Sequence, residues 1–355
     1  MTSGRRRWVF AAVAVAVAVF TATATLLAVD VYLHGRYERS AGFNVWGYRG
    51  EPVGKKKPGE YRIVVLGGSA AYGYGVPSDQ AMPAVLARLL RARTASPAFT
   101  VVNLGYNNEG AYSFKPTLID YTSLRPDLVL LYEGYNDLSA GGQTNVSVFR
   151  HDSPIFRLTG YMPIFPIIFK EKAAAMLNGG DAGALYRTSP GKTVFHTSLA
   201  TKAEAGALRA TANIAKSLEA ELGRVSTEPD HRVDGGESTG CPPAWQSYCE
   251  SIALAVEFAR HQGLQVMVVT QPYLSSGPKI HARHVEQQEA MRAMVQRRFA
   301  SDPDVHSVNL GECVDLENVR LSFDHLHLTA LGNAQLADDL VAPVLEMAAR
   351  KQKAS

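Results

Sequence analysis

Between Trp8 and Val29 the chain carries no charged residue, and Arg5, Arg6 and Arg7 stand immediately before this run. Twenty-two helical positions rise about 33 Å, enough to cross a hydrocarbon core of about 30 Å. Basic residues ahead of the run hold the N-terminus in the cytoplasm and carry everything after Val29 across the membrane. Three readings compete: an uncleaved signal anchor, a cleaved signal peptide, and a buried helix of a soluble protein. Thr21-Ala22-Thr23-Ala24 is a weak cleavage site, and the apolar run continues past it through Leu26-Leu27-Ala28-Val29, which favours the anchor. The arginines alone do not make a twin-arginine signal. The chain beyond Val29 is expected to form an extracytoplasmic domain.

Residues 31–60 are polar with scattered glycines and read as a linker. Its closing Lys55-Lys56-Lys57 reads as solvated linker before it reads as a contact with lipid headgroups. Beyond it, strand-length apolar runs alternate with stretches of helical period. Arg62–Leu66, Thr100–Leu104, Asp127–Tyr132, Leu264–Thr270 and Val305–Leu310 are the strands. Helices are expected over Ala81–Arg93, Ala244–His261, Glu286–Phe299 and Leu331–Arg350. Near-continuous apolar strands are buried on both faces, the signature of a parallel sheet covered by helices.

The alternation breaks down between Ser139 and Gly240, so the chain divides into a membrane helix (1–30), a linker (31–60) and one α/β domain (61–355) with a cap-like insertion at about 139–240. Within the insertion, Thr201–Leu222 reads as a helix and Ser226–Gly240 as a loop. Prolines forbid a regular helix through the apolar Tyr161–Phe169 stretch, which reads as buried under the cap's own helix before it reads as resting on the membrane or lining a substrate pocket. A net charge of +3 gives no reason to expect nucleic acid. Three cysteines without a Cys-x-x-Cys pair offer neither a disulfide-rich miniprotein nor a zinc knuckle.

In an open parallel sheet, ligands bind beyond the carboxyl ends of the strands. There the sequence places Gly67-Gly68-Ser69, then Asn103-Leu104-Gly105, then Gly134-Tyr135-Asn136-Asp137. Downstream, Asp324-His325-Leu326-His327 precedes the last helix. A serine at a strand-to-helix turn, a glycine N–H, an asparagine amide and an Asp/His pair together suit acyl transfer. Singly, Ser69 could cap a helix, Asn136 a turn, and 324–327 could be a polar loop. Asp324, His325 and His327 lack a further local ligand, so no metal is expected. Residues 67–75 do not fit a dinucleotide fingerprint and contain no phosphate-loop lysine, so no cofactor is expected. His281 and His284 read as solvated surface. Tyr72, Tyr74, Tyr106, Asn107 and Asn108 come just after the catalytic turns and read either as a sugar site or as structural residues.

Taken in order over about Arg62 to Asn333, these blocks resemble the SGNH/GDSL hydrolases. That family's Gly-Asp-Ser is Gly67-Gly68-Ser69 here, a departure at a residue that is not itself catalytic. Gly105 matches the block-two glycine, Gly134–Asp137 the Gly-x-Asn-Asp block, and Asp324 with His327 the Asp-x-x-His block. The resemblance implies a three-layer α/β/α sandwich of flavodoxin-like type with a mainly parallel sheet. It further implies Ser69 as nucleophile, His327 as base and Asp324 as its orienting carboxylate, with Ser69, Gly105 and Asn136 forming the oxyanion hole. Substrate contacts are expected from Tyr72, Tyr106 and Asn107.

The function expected is a membrane-anchored serine esterase removing acyl groups, acetyl first, from a carbohydrate. An O-acyltransferase on exported polysaccharide, a lipid esterase or thioesterase, and a non-catalytic glycan-binding subunit are the alternatives. In an oxidising compartment Cys241 and Cys249 are placed to close a small loop, which would leave Cys313 over.

Overall fold

The computed structural model describes residues 3–37, 42–138, 148–166, 168, 169, 176, 239–275 and 277–354. The helix expected at Thr201–Leu222 and nearly all of the loop expected at Ser226–Gly240 lie outside the described residues. Within them, β1 (Glu60–Gly67), β2 (Ala98–Asn103), β3 (Leu128–Tyr132), β4 (Gln265–Val269) and β5 (Val305–Val308) form one sheet in the order β2-β1-β3-β4-β5. All four pairings are parallel.

The apolar strands are buried on both sides, as their composition requires. Val64, Leu66, Val129 and Leu131 enter one core with α4 (Phe114–Asp120) and α6 (Gln246–His261). Ile63, Val65, Leu128 and Leu130 alternate into the other, under α3 (Met82–Arg93) and α8 (Ala330–Ala354). The chain leaves β1 toward β2 and then crosses back to β3. This is the switch point of a flavodoxin-like order, where such sheets bind their ligands beyond the carboxyl ends of the strands.

Three sequence expectations change. The helix expected from Glu286, α7, starts at Pro278, because a proline after Gly277 is a helix start. His284 is consequently not on the surface. It is fully buried, its Nδ1 accepts the Leu274 N–H at 3.1 Å, and burial, with His281 adding to it, pushes its pKa down to about 4. The N-terminal apolar helix α1 (Ser3–Tyr37) does not end at residue 30, and residues 42–60 are not a loose linker. Asn44, Tyr48 and Arg49 are buried, Arg49 bridges to Asn103, and Lys56 pairs with Asp127. Lastly, Met162 and Ile164 contact the end of α1 and the loop after it, while the cap helix expected above them lies outside the described residues. A short helix unforeseen in the sequence, α5 (Pro154–Thr159), precedes them.

Cys241 and Cys249 are joined by a disulfide with a Cα–Cα distance of 6.5 Å, and Cys313 is free. The bridge closes an eight-residue separation across the start of α6. By chain entropy such a loop restrains the unfolded state by about 2.5 kcal/mol. Chemical denaturation of the Cys241→Ser/Cys249→Ser variant is therefore expected to show a loss of that order, with peptide mapping under non-reducing conditions recovering the linked pair from wild type.

Candidate active site

Strand β1 runs straight into the Gly67-Gly68-Ser69 turn. After Gly67 and Gly68, Ser69 opens the one-turn helix α2 (Ser69–Tyr72), which Gly73 ends in the left-handed conformation at φ 79°. Gly67 and Gly68 are required by space. A Cβ on Gly67 would collide with the Tyr132 carbonyl, and one on Gly68 with the Asn136 amide and the Glu133 carboxyl. Glu133 directly follows β3 and lies buried between the two turns. Its Oε2 accepts the Gly68 N–H, while Oε1 accepts those of Gly134 at 2.9 Å and Asn136 at 3.1 Å. One carboxyl thus fixes the nucleophile turn and the Gly-x-Asn-Asp turn to each other. Burial raises its pKa, as does the neighbouring Asp137, against the lowering effect of the three N–H donors. Asp137 is raised by burial in turn, and its Oδ2 accepts the Ala111 N–H at 2.9 Å.

His327 reaches Ser69 from across the domain: its Nε2 lies 2.8 Å from Ser69 Oγ and its Nδ1 lies 2.6 Å from Asp324 Oδ2. The loop that makes this possible is tight. Ser322 and Leu328 form an antiparallel bridge at its base, and Ser322 Oγ donates to the His327 carbonyl. Asp324 Oδ1 accepts the N–H groups of Leu326 at 3.1 Å and His327 at 2.6 Å. This is an Asx turn, in which a short carboxylate side chain folds back on its own backbone. Burial would raise the Asp324 pKa, but the imidazole of His327 and the two N–H donors hold it below the ordinary carboxylate value. His325 sits at the turn with φ 63°, exposed, its Nδ1 3.5 Å from Glu317 Oε2. The two histidines therefore serve different neighbours.

Asn136 Nδ2 donates to the Glu109 carbonyl at 2.8 Å, which sets the plane of the amide beside Gly68. Glu109 is itself buried and accepts the Phe149 N–H at 2.8 Å. Gly105 lies elsewhere than the motif suggests. Its N–H donates to Asn103 Oδ1 at 3.0 Å, and its α-carbon packs under Ala71 and Tyr72, so close that a side chain would strike the helix backbone. It supports α2 from below.

The expected substrate contacts divide in the same way. Tyr72 is 2% exposed, with its ring beneath the Arg49 guanidinium at 4.0 Å and against Phe43 at 5.5 Å. It is a core residue and, unlike the sequence expectation, offers a substrate no surface to touch. Tyr106 is half-buried and stacks on Phe149 with ring centroids 4.3 Å apart. Asn107 is half-buried, with its Oδ1 enclosed. The aromatic groups that do border the His327 imidazole are Tyr74, at 4.8 Å between ring centroids, and Phe323, at 5.9 Å. Both are about half exposed, at 49% and 47%. Phe323 carried no motif signal, although its place next to Asp324 could have drawn attention to it. Among the described residues no three His, Cys, Asp or Glu side chains converge on a point that could hold a metal.

A family model for the GDSL-like lipase/acylhydrolase family matches residues 65–335. No curated protein matches the chain. Among solved structures it is similar to an alpha/beta hydrolase enzyme from the metagenome of Lake Arreo, Spain, at 14% identity, covering 79% of this chain and 94% of that one with a TM-score of 0.42. It is similar to a Clostridium thermocellum family 3 carbohydrate esterase at 13% identity, with 82% and 98% covered and a TM-score of 0.41. A member of the lipolytic protein G-D-S-L family from Veillonella parvula shares 10% identity, with 79% and 97% covered and a TM-score of 0.41.

Proposed function

The chain belongs to the GDSL-like lipase/acylhydrolase family and is an ester-bond hydrolase, and from that premise we propose that it is a serine esterase working through Ser69, His327 and Asp324. The observation that carries this reading is the unbroken relay from Asp324 Oδ2 to His327 Nδ1 and from His327 Nε2 to Ser69 Oγ, at 2.6 and 2.8 Å. Ser69 Oγ attacks the ester carbonyl as its proton passes to His327 Nε2. Asp324, held as a carboxylate by its own turn, stabilises the imidazolium that forms. The charge developing on the carbonyl oxygen is taken by the Ser69 N–H and the Asn136 amide, while Gly105 and Glu133 act as supports of those two donors. The His327 proton then goes to the departing alkoxide. Water, deprotonated by His327, releases the acyl group and restores Ser69.

The substrate proposed is a short acyl ester, acetyl first, on a carbohydrate. The support is the half-exposed pair Tyr74 and Phe323 beside His327, since flat aromatic faces next to a polar centre suit the C–H faces of a sugar ring. We also assign the domain to the extracytoplasmic side. Arg5 to Arg7 precede α1, and a disulfide at Cys241–Cys249 belongs in an oxidising compartment.

A fluorophosphonate probe, which traps an activated serine, is expected to label the wild-type protein and leave Ser69→Ala unlabelled, with hydrolysis of a short nitrophenyl ester lost in parallel. Equal labelling of the two proteins would remove Ser69 from the mechanism.

A further inference from the structure

Helix α1 has 35 residues and a length of about 52 Å, well beyond a hydrocarbon core of about 30 Å. Its apolar part is unburied, with Val13, Val17 and Phe20 exposed to the surroundings. At Asp30 the pattern inverts within one turn: Asp30, Leu33 and His34 are at most 6% exposed. Asp30 Oδ1 accepts the N–H groups of Ile164 at 2.8 Å and Phe165 at 2.6 Å, and Oδ2 accepts the Tyr161 hydroxyl. His34 places Nδ1 2.6 Å from the Phe43 carbonyl and Nε2 2.8 Å from the Met162 carbonyl. One helical turn is therefore bonded to two separate segments of the catalytic domain, starting at the residue where the membrane run ends.

These contacts lead to the nucleophile. Leu33 shares a buried cluster with Phe43, Tyr72 and Ile164, and Tyr72 is the last residue of the helix that Ser69 begins. Around it Val29, Phe165, Ile168 and Phe169 are only partly buried. They put aromatic and aliphatic side chains at the level where α1 leaves the bilayer, the zone that such side chains favour. A domain on a slack tether would sweep through the surrounding solution and meet free polymers. This one is held by a stiff helix whose exit is separated from the nucleophile turn by one layer of side chains.

We propose that α1 is a docked mount that keeps the Ser69 site at the bilayer surface, and that the ester it takes is borne on the headgroup of a membrane-embedded amphiphile, such as an acylated glycolipid. This rests on the esterase and membrane-anchor readings above and narrows their substrate class. Confinement to a surface raises the effective concentration of anything sharing that surface, without a new contact in the site.

The test uses full-length protein in phosphatidylethanolamine/phosphatidylglycerol vesicles and three probes: nitrophenyl acetate, a methyl O-acetylglucoside in solution, and the same O-acetylglucoside on an octadecyl chain embedded in the vesicles. The key variant inserts a nine-residue Gly/Ser segment between Val29 and Asp30. It leaves the Asp30 and His34 contacts intact but lets the domain lift from the surface. Wild type is expected to cleave the embedded glucoside about tenfold or more faster than the soluble one. The insertion should abolish that preference while leaving nitrophenyl acetate turnover within twofold. The proposal is overturned if wild type shows no preference for the embedded ester, or if the insertion variant keeps it. Failure of wild type to cleave nitrophenyl acetate would instead bring down the esterase reading itself, and the proposal with it.

Discussion

His327→Ala is expected to lower kcat on a short ester by about four orders of magnitude or more, whereas His325→Ala costs about tenfold or less. The difference comes from where each ring stands. His327 joins Ser69 Oγ to Asp324, and in the proposed mechanism removing it leaves Ser69 without a base and Asp324 without a partner. His325 faces Glu317 in solvent and touches neither. Its alanine variant has one further liability, because residue 325 holds φ 63°, where alanine is disfavoured. His325→Asn, which tolerates that conformation, separates a backbone effect from a chemical one. Steady-state kinetics on the three variants, with folding followed by circular dichroism, decide the assignment. A larger loss at His325 than at His327 would overturn it.

Gly68→Asp, the change that restores the family's usual Gly-Asp-Ser, is expected to cost about 100-fold or more in kcat. In most family members the motif carries that aspartate, so sequence comparison would favour unchanged or improved activity. Packing says otherwise, since the space a Cβ at 68 needs is already filled by the Asn136 amide and the Glu133 carboxyl. Displacing one oxyanion donor alone typically costs about 10²–10³-fold. The new carboxylate would also stand beside Glu133, which is buried and already destabilised as an anion by Asp137. Gly68→Ala carries the same steric burden without the charge and is expected to fall between wild type and Gly68→Asp. If Gly68→Asp kept full activity with an unchanged thermal midpoint, Glu133 and Asn136 would have to be free to move, and their role as fixed supports would be lost.

The glycine at 68 also marks how far the sequence could be read. Its departure from the motif was visible, and its catalytic irrelevance could be argued, but its cause could not. The space beside Gly68 is filled by the carboxyl of residue 133, which follows another strand and belongs to no motif. Gly105 is a second instance. It has the right residue type at the right strand end, yet its N–H is consumed by Asn103, two residues earlier in the chain. The turn at Asp324 shows the converse. The spacing puts Asp324 and His327 in one block, but the closed Asx turn that brings their side chains together is not written in that spacing.

What the sequence determined by itself were the properties carried by local periodicity and spacing. Apolar runs of strand length had to be buried on both faces. A charge-free run behind three arginines had to form a long exposed helix. The first three blocks had to fall at strand ends, because strands stop where glycine and polar residues begin. Only the tertiary structure decided which of several chemically similar residues face the site. Tyr72 and Tyr74 are two positions apart, but a single turn of α2 sends the first under Arg49 and leaves the second over His327. Likewise, nothing local in Asp30 or His34 marks the docking of α1, since their partners lie up to 135 residues away. Periodicity records whether a side chain must leave water. Its neighbour is chosen by the crossing of strands and helices far apart in the chain, so burial could be read in one dimension and partnership could not.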